Sequence, residues 1–101
     1  AVEFVRASVA TKKPFLAVVW NITPHQATER LRAFYPNQPV PAQEYWGMIS
    51  SVDENVGRMR ATLREQGVAD DTLFLSTSDD GGADPSKAHH PFAGGKGNGW
   101  E

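Results

Sequence analysis

The sequence predicts an α/β fold: a parallel-sheet βαβ unit organised around one long amphipathic helix. Three observations predict it. Phe15-Leu16-Ala17-Val18-Val19-Trp20 is an unbroken apolar run of strand length, the pattern of a parallel strand covered on both faces. Thr72 to Thr77, centred on Leu73-Phe74-Leu75, is a second such run. Between them, from Gln43 to Gln66, the apolar residues Tyr45, Met48, Ile49, Val52, Val56, Met59 and Leu63 recur at steps of three and four. That spacing makes one stripe of roughly 36 Å on a helix at the standard rise. Strand, helix and strand in this order form a right-handed crossover, and ligands of such sheets bind beyond the carboxyl ends of the strands.

The remaining elements follow in chain order. Ala1 to Ala10 reads as a short helix with Val2, Phe4, Val5 and Val9 on one side and Glu3 and Arg6 outward, ended by Lys12-Lys13-Pro14. Asn21 to Gln26, with Pro24, is the loop beyond the first strand. Ala27 to Phe34 fits a short helix. Tyr35 to Pro41 contains three prolines and suits neither regular element. Gly67 is a natural helix stop, and Asp70-Asp71 turn the chain toward the second strand. From Gly81 to Glu101 the composition is that of a glycine-rich loop.

Bulk properties narrow the function classes. A chain of 101 residues holds at most one domain with one modest core, and 40% hydrophobic content indicates a folded module. The 10 basic residues against 12 acidic ones give a net charge of −2, which supplies no electrostatic footprint for nucleic acid or an anionic membrane surface. A small anion would be recognised by local positive charge. With no cysteine, neither a disulfide framework nor a thiolate metal site is available. No apolar stretch approaches the length of a membrane span, and the first residues do not read as a signal peptide.

Chemistry concentrates at the predicted strand ends. After the second apolar run come Ser78-Asp79-Asp80-Gly81-Gly82. Adjacent carboxylates at a strand end suit a hard divalent cation such as Ca²⁺, which takes oxygen ligands in flexible geometry. Asp-Gly is equally a turn pair. Two carboxylates are too few for a complete Ca²⁺ shell, so other ligands must come from elsewhere. Lys96, in Gly94-Gly95-Lys96-Gly97, has flanking residues that let backbone approach a ligand and an ammonium that acts as a point charge on a tetrahedral anion. An exposed loop lysine is the plain alternative. His25 follows Pro24 beyond the first strand, where it suits donation to an anion or a leaving group, or an ordinary loop hydrogen bond. The adjacent pair His89-His90 is poorly spaced for chelation, and Trp20, Trp46 and Trp100 suit packing. Ser78, His25 and Asp79 contain the residue types of a hydrolase triad, but no Gly-x-Ser-x-Gly elbow surrounds any serine.

Four segments together resemble the sulfatase family of the alkaline phosphatase superfamily. Lys13-Pro14-Phe15-Leu16 through Pro24-His25 is similar to its strand and Pro-His loop; Tyr45-Trp46-Gly47-Met48 through Asp53, Val56-Gly57-Arg58 and Leu63 to its long helix. Asp71-Thr72-Leu73 through Ser78-Asp79-Asp80-Gly81 is similar to its metal strand, and Pro91-Phe92 through Gly94-Gly95-Lys96-Gly97 to Trp100-Glu101 to its lysine loop. The segments keep the family order and cover nearly the whole chain. The resemblance implies an alkaline-phosphatase-like sandwich, Asp79 and Asp80 as Ca²⁺ ligands, and His25 and Lys96 as contacts to the sulfate group of a sulfate ester. For localisation it implies a periplasmic, secreted or lysosomal parent.

The departures are specific. Asp80 stands where the family usually has Asn, Ala93 where arginine is common, and Asn98 where threonine is. Sulfatases use a formylglycine made from Cys or Ser in a motif continuing x-Pro-Ser-Arg, and these 101 residues contain no such motif, nor the early acidic metal ligands that precede it. The expectation is therefore residues 1–101 of a catalytic domain truncated at both ends, a contributor of calcium and sulfate contacts that is inactive in isolation. Sheet edges left open by the rest of the domain would favour self-association. The competing readings are a related phosphodiesterase or phosphonate hydrolase, disfavoured by the hardness of Asp80, and a binding or assembly module without chemistry.

Overall fold

The computed structural model describes residues 1–21 and 27–78. It contains three helices: α1, Val2–Ala10; α2, Glu29–Arg32; and α3, Val40–Glu65. The described residues group into two compact units, residues 1–21 with 51–74 and residues 27–50 with 75–78.

In the first unit α1 buries Val5 and leaves Val2 and Val9 half-buried. Phe4 is half exposed but meets the edge of the Phe15 ring, with centroids 6.1 Å apart and planes at 88°. Glu3 lies in the first turn, where a carboxylate favours the helix dipole. The helix stops where the Thr11 hydroxyl donates back to the carbonyls of Ala7 and Ser8, and Lys12, at φ 52°, turns the chain out of the helical path. The other element of this unit is the second half of α3, which buries Thr62 and Leu63; the Thr62 hydroxyl is satisfied by the Arg58 carbonyl at 3.0 Å. Arg6 reaches Glu3 at 3.1 Å and Glu65 at 3.8 Å, all three well exposed. Exposed pairs of this kind contribute about 0–1 kcal/mol each. Burial of Val5 and Leu63 outweighs them.

The end of α3 follows its glycine. Gly67 adopts φ +69°, its N–H donates to the Arg64 carbonyl, and the Val68 N–H donates to the Leu63 carbonyl. These two bonds satisfy carbonyls that the last turn would otherwise leave open. The start of α3 differs from expectation: the proline-rich stretch was predicted to be irregular, yet the helix begins at Val40 and includes Pro41. The Pro39 carbonyl accepts the Gln43 N–H at 3.0 Å, so Pro41 falls in the first turn, where a missing N–H costs nothing.

In the second unit Thr28 caps α2 by accepting the Leu31 N–H, and Ala27, Leu31, Ala42 and Gly47 are buried. The apolar stripe therefore misplaces the contact face in the first half of α3. Ile49 is mostly exposed, whereas small residues, Ala42 and Gly47, lie at the contact.

The predicted α/β class does not hold. No strand occurs among the described residues, so the parallel-sheet βαβ unit and the alkaline-phosphatase-like sandwich implied by the resemblance are replaced by a helical arrangement. Both apolar runs, Phe15 to Trp20 and Thr72 to Thr77, lack regular structure. Leu16 is 86% exposed and Leu73 84%. A parallel strand requires ladder partners at its edges and cover on its faces, and apolar composition supplies only the preference for them. Thr72 and Phe74 are half-buried while Leu73 and Leu75 point outward, an alternation of period two without a ladder. Around the first run, Leu16 to Trp20 with Ala1 and Phe4 line an open groove of about 410 Å³.

Candidate functional site

His25, Asp79, Asp80 and Lys96 all lie outside the described residues, as do His89, His90 and Trp100. The structure places only their flanks. Ser78, the residue before Asp79, is exposed, and its carbonyl accepts the Thr77 hydroxyl at 3.2 Å. Asn21 is the last described residue before the Pro-His loop and Ala27 the first after it. Of the Ser78, His25 and Asp79 combination only Ser78 is described. Among the described residues no group of three or more His, Asp or Glu side chains is placed to hold a metal ion. No helix among them is long and apolar enough to cross a membrane.

Polar chemistry among the described residues centres on Ala27, the first described residue after Pro24-His25 in the sequence. Glu44 and Gly47 stand three residues apart on α3, one turn along the same face. A Cβ at Gly47 would stand 2.6 Å from the Ala27 Cβ and 3.4 Å from Leu31 atoms, so glycine is what lets the Ala27 segment lie against the helix. One turn away, Glu44 Oε2 accepts the Ala27 N–H at 2.7 Å and Oε1 accepts Arg32 Nη1 at 2.5 Å. The Arg32 hydrogen bond, then the Ala27 N–H, hold the Glu44 carboxyl below its ordinary value of 4.5, against the opposing effect of partial burial. Glu44 is therefore a carboxylate at neutral pH, with both oxygens engaged.

Farther along the same unit, Tyr35 Oη and Ser50 Oγ share a hydrogen bond of 2.6 Å. The Tyr35 ring meets Trp46 edge to face at 5.4 Å. The Arg30 guanidinium lies 5.6 Å from the centre of the Phe34 ring. Sequence reasoning did not single out Glu44, Arg32 or Tyr35. Their partners stand 12 to 17 residues away, beyond the reach of any local periodicity. The one signal present was Gly47 inside an otherwise helical stripe, since glycine in a helix interior has a cost that close packing offsets.

The family model for Sulfatase matches residues 1–101. No solved structure matches the chain. The match spans the whole of residues 1–101, the stretch that holds Pro24-His25, α3, Asp79-Asp80 and Lys96, and the chain belongs to the sulfatase family.

Proposed function

We propose that this chain supplies metal and sulfate contacts of a sulfuric ester hydrolase. The observation that carries the reading is the family match over residues 1–101; the acidic pair and the glycine-flanked lysine lie in segments that resemble the family's own, which supports their roles. Asp79 and Asp80 would hold the cation: two adjacent carboxylates are hard donors of the kind Ca²⁺ takes, and Asp80 in place of Asn adds a charge without changing the donor atom. When bound, such an ion supplies positive charge beside the sulfate oxygens. Lys96 presents its ammonium to a non-bridging sulfate oxygen, where negative charge grows in the transition state. His25 donates a hydrogen bond to the ester and a proton to the departing oxygen. No formylglycine motif is present in residues 1–101, so the nucleophile comes from another segment and these residues alone do not turn over substrate.

The test is hydrolysis of an aryl sulfate and of an aryl phosphodiester by the full-length protein, beside the isolated 101-residue chain. Turnover of the sulfate in preference to the phosphodiester is expected, with the isolated chain no faster than buffer. Preference for the phosphodiester would move the activity to a related class. No turnover of any ester would leave a binding or assembly module.

A further inference from the structure

We infer that the second half of α3 carries a docking face for a second copy of this chain, centred on Gly57, with Asp53 of each copy received between Arg60 and Arg64 of the other. This face is separate from the sulfate chemistry. Two costs on it are not offset within the described residues. Gly57 stands in the interior of α3, where glycine is unfavourable, and unlike Gly47 it has no atom within 4 Å of where its Cβ would be. Arg60 and Arg64 are a like-charge pair one turn apart, an arrangement that repels on a helix surface. Both are exposed, as are Asp53 and Gly57, and Asp53, Arg60 and Arg64 form no ion pair among the described residues.

Helix geometry places these residues for reciprocal contact. At about 100° per residue, Asp53, Arg60 and Arg64 all lie on the same side of Gly57, at about 40°, 60° and 20° around the axis. At about 1.5 Å per residue, Asp53 lies about 6 Å before Gly57 along the axis, Arg60 about 4.5 Å after it and Arg64 about 10.5 Å after it. A two-fold axis opposite Gly57 sets a second helix antiparallel to the first, which reverses positions along the axis and keeps the side. Asp53 of one copy then falls between Arg60 and Arg64 of the other, both along the axis and around it. The contact is made twice, as an isologous interface requires. A carboxylate between the two guanidiniums offsets their repulsion with charge-assisted hydrogen bonds. At the centre the missing Cβ of Gly57 lets the two backbones approach closely.

Two helices in contact over about three turns bury less than a standard interface, so the dimer is weak and salt-sensitive. Sedimentation velocity of the intact protein that contains this chain should show dimer appearing between about 10 µM and 1 mM, and receding as salt rises from about 0.05 to 0.5 M. Asp53→Lys and, separately, Arg60→Glu/Arg64→Glu bring like charges together and should each weaken self-association on the order of 100-fold. Mixed in equal amounts, these two variants should pair with each other, because each then meets the opposite charge. Gly57→Ala should keep or raise Tm, since its Cβ meets nothing within the chain, while weakening the dimer about tenfold. Should a charge-reversed variant fail to fold, Asp53→Asn and Arg60→Gln/Arg64→Gln replace the reversals, and each should weaken the dimer. A protein that stays monomeric to about 1 mM overturns the inference, whatever covers the face. So does a dimer indifferent to the charge variants, or a pair of reversed variants that remain apart when mixed.

Discussion

On the proposed function, Lys96→Ala in an active protein that contains this chain is expected to lower kcat for sulfate ester hydrolysis by about 100- to 1,000-fold, the usual cost of removing one donor aimed at developing negative charge. The sequence around it supports that size of effect. Its sequence neighbours Gly94, Gly95, Gly97 and Asn98 carry no positive charge that could replace it. Lys96→Arg should restore only part of the rate, because a broad planar guanidinium does not occupy the place of a compact ammonium. The measurement is steady-state kinetics on an aryl sulfate, with melting curves showing that each variant remains folded. A Lys96→Ala enzyme within about threefold of wild type would remove the lysine from the chemistry, since effects that small lie far below the loss of one such donor.

Gly47→Ala should destabilise the chain although alanine is the better helix former. The propensity gain is about 1 kcal/mol, and the new Cβ would stand 2.6 Å from the Cβ of Ala27, closer than carbon atoms approach without a shift of backbone. Overpacking of this kind costs about 1–3 kcal/mol and can exceed the gain. For a domain of about 100 residues each net 1 kcal/mol lowers Tm by about 4–8 °C. Because the obstruction is one Cβ against another, the partner change Ala27→Gly should recover part of the loss in the double variant. Thermal melts of the four proteins check this, and a Gly47→Ala chain that melts above wild type would show that Ala27 does not lie against α3.

The helices were legible in the sequence to the extent that their signals are local. Val5 of α1, the Gly67 stop and the course of α3 from Gln43 onward follow from spacing and from one residue able to adopt positive φ. The beginning of α3 was not, because proline is read as a breaker until its position in the first turn is known. The two apolar runs show the opposite limit. Phe15 to Trp20 and Leu73 to Leu75 have strand composition, but a strand exists only with a partner, and composition does not name one. Asp79, Asp80, His25 and Lys96 were singled out because four segments together resemble the family's; the family match bears out the family over residues 1–101. Their geometry lies outside the described residues. The Glu44, Arg32 and Ala27 junction was hidden for a different reason: it is a tertiary contact joining two residues that look like ordinary surface charges on α3 and α2 to a backbone N–H just ahead of α2.

The claim that this chain carries the metal carboxylates of a sulfatase is tested most directly by calcium-dependent stability. Thermal melts of the full-length protein, stripped of metal and returned to a Ca²⁺ series at fixed ionic strength, should show a rise in Tm once Ca²⁺ exceeds its dissociation constant. Binding to the native state alone contributes about 2.7 kcal/mol at 100 times that constant. Asp79→Asn/Asp80→Asn should abolish the rise, whereas Lys96→Ala should keep it or enlarge it slightly by removing a nearby positive charge. Identical Ca²⁺ responses in the wild type and the acidic-pair variant would contradict the account and leave Asp79-Asp80-Gly81 as a turn.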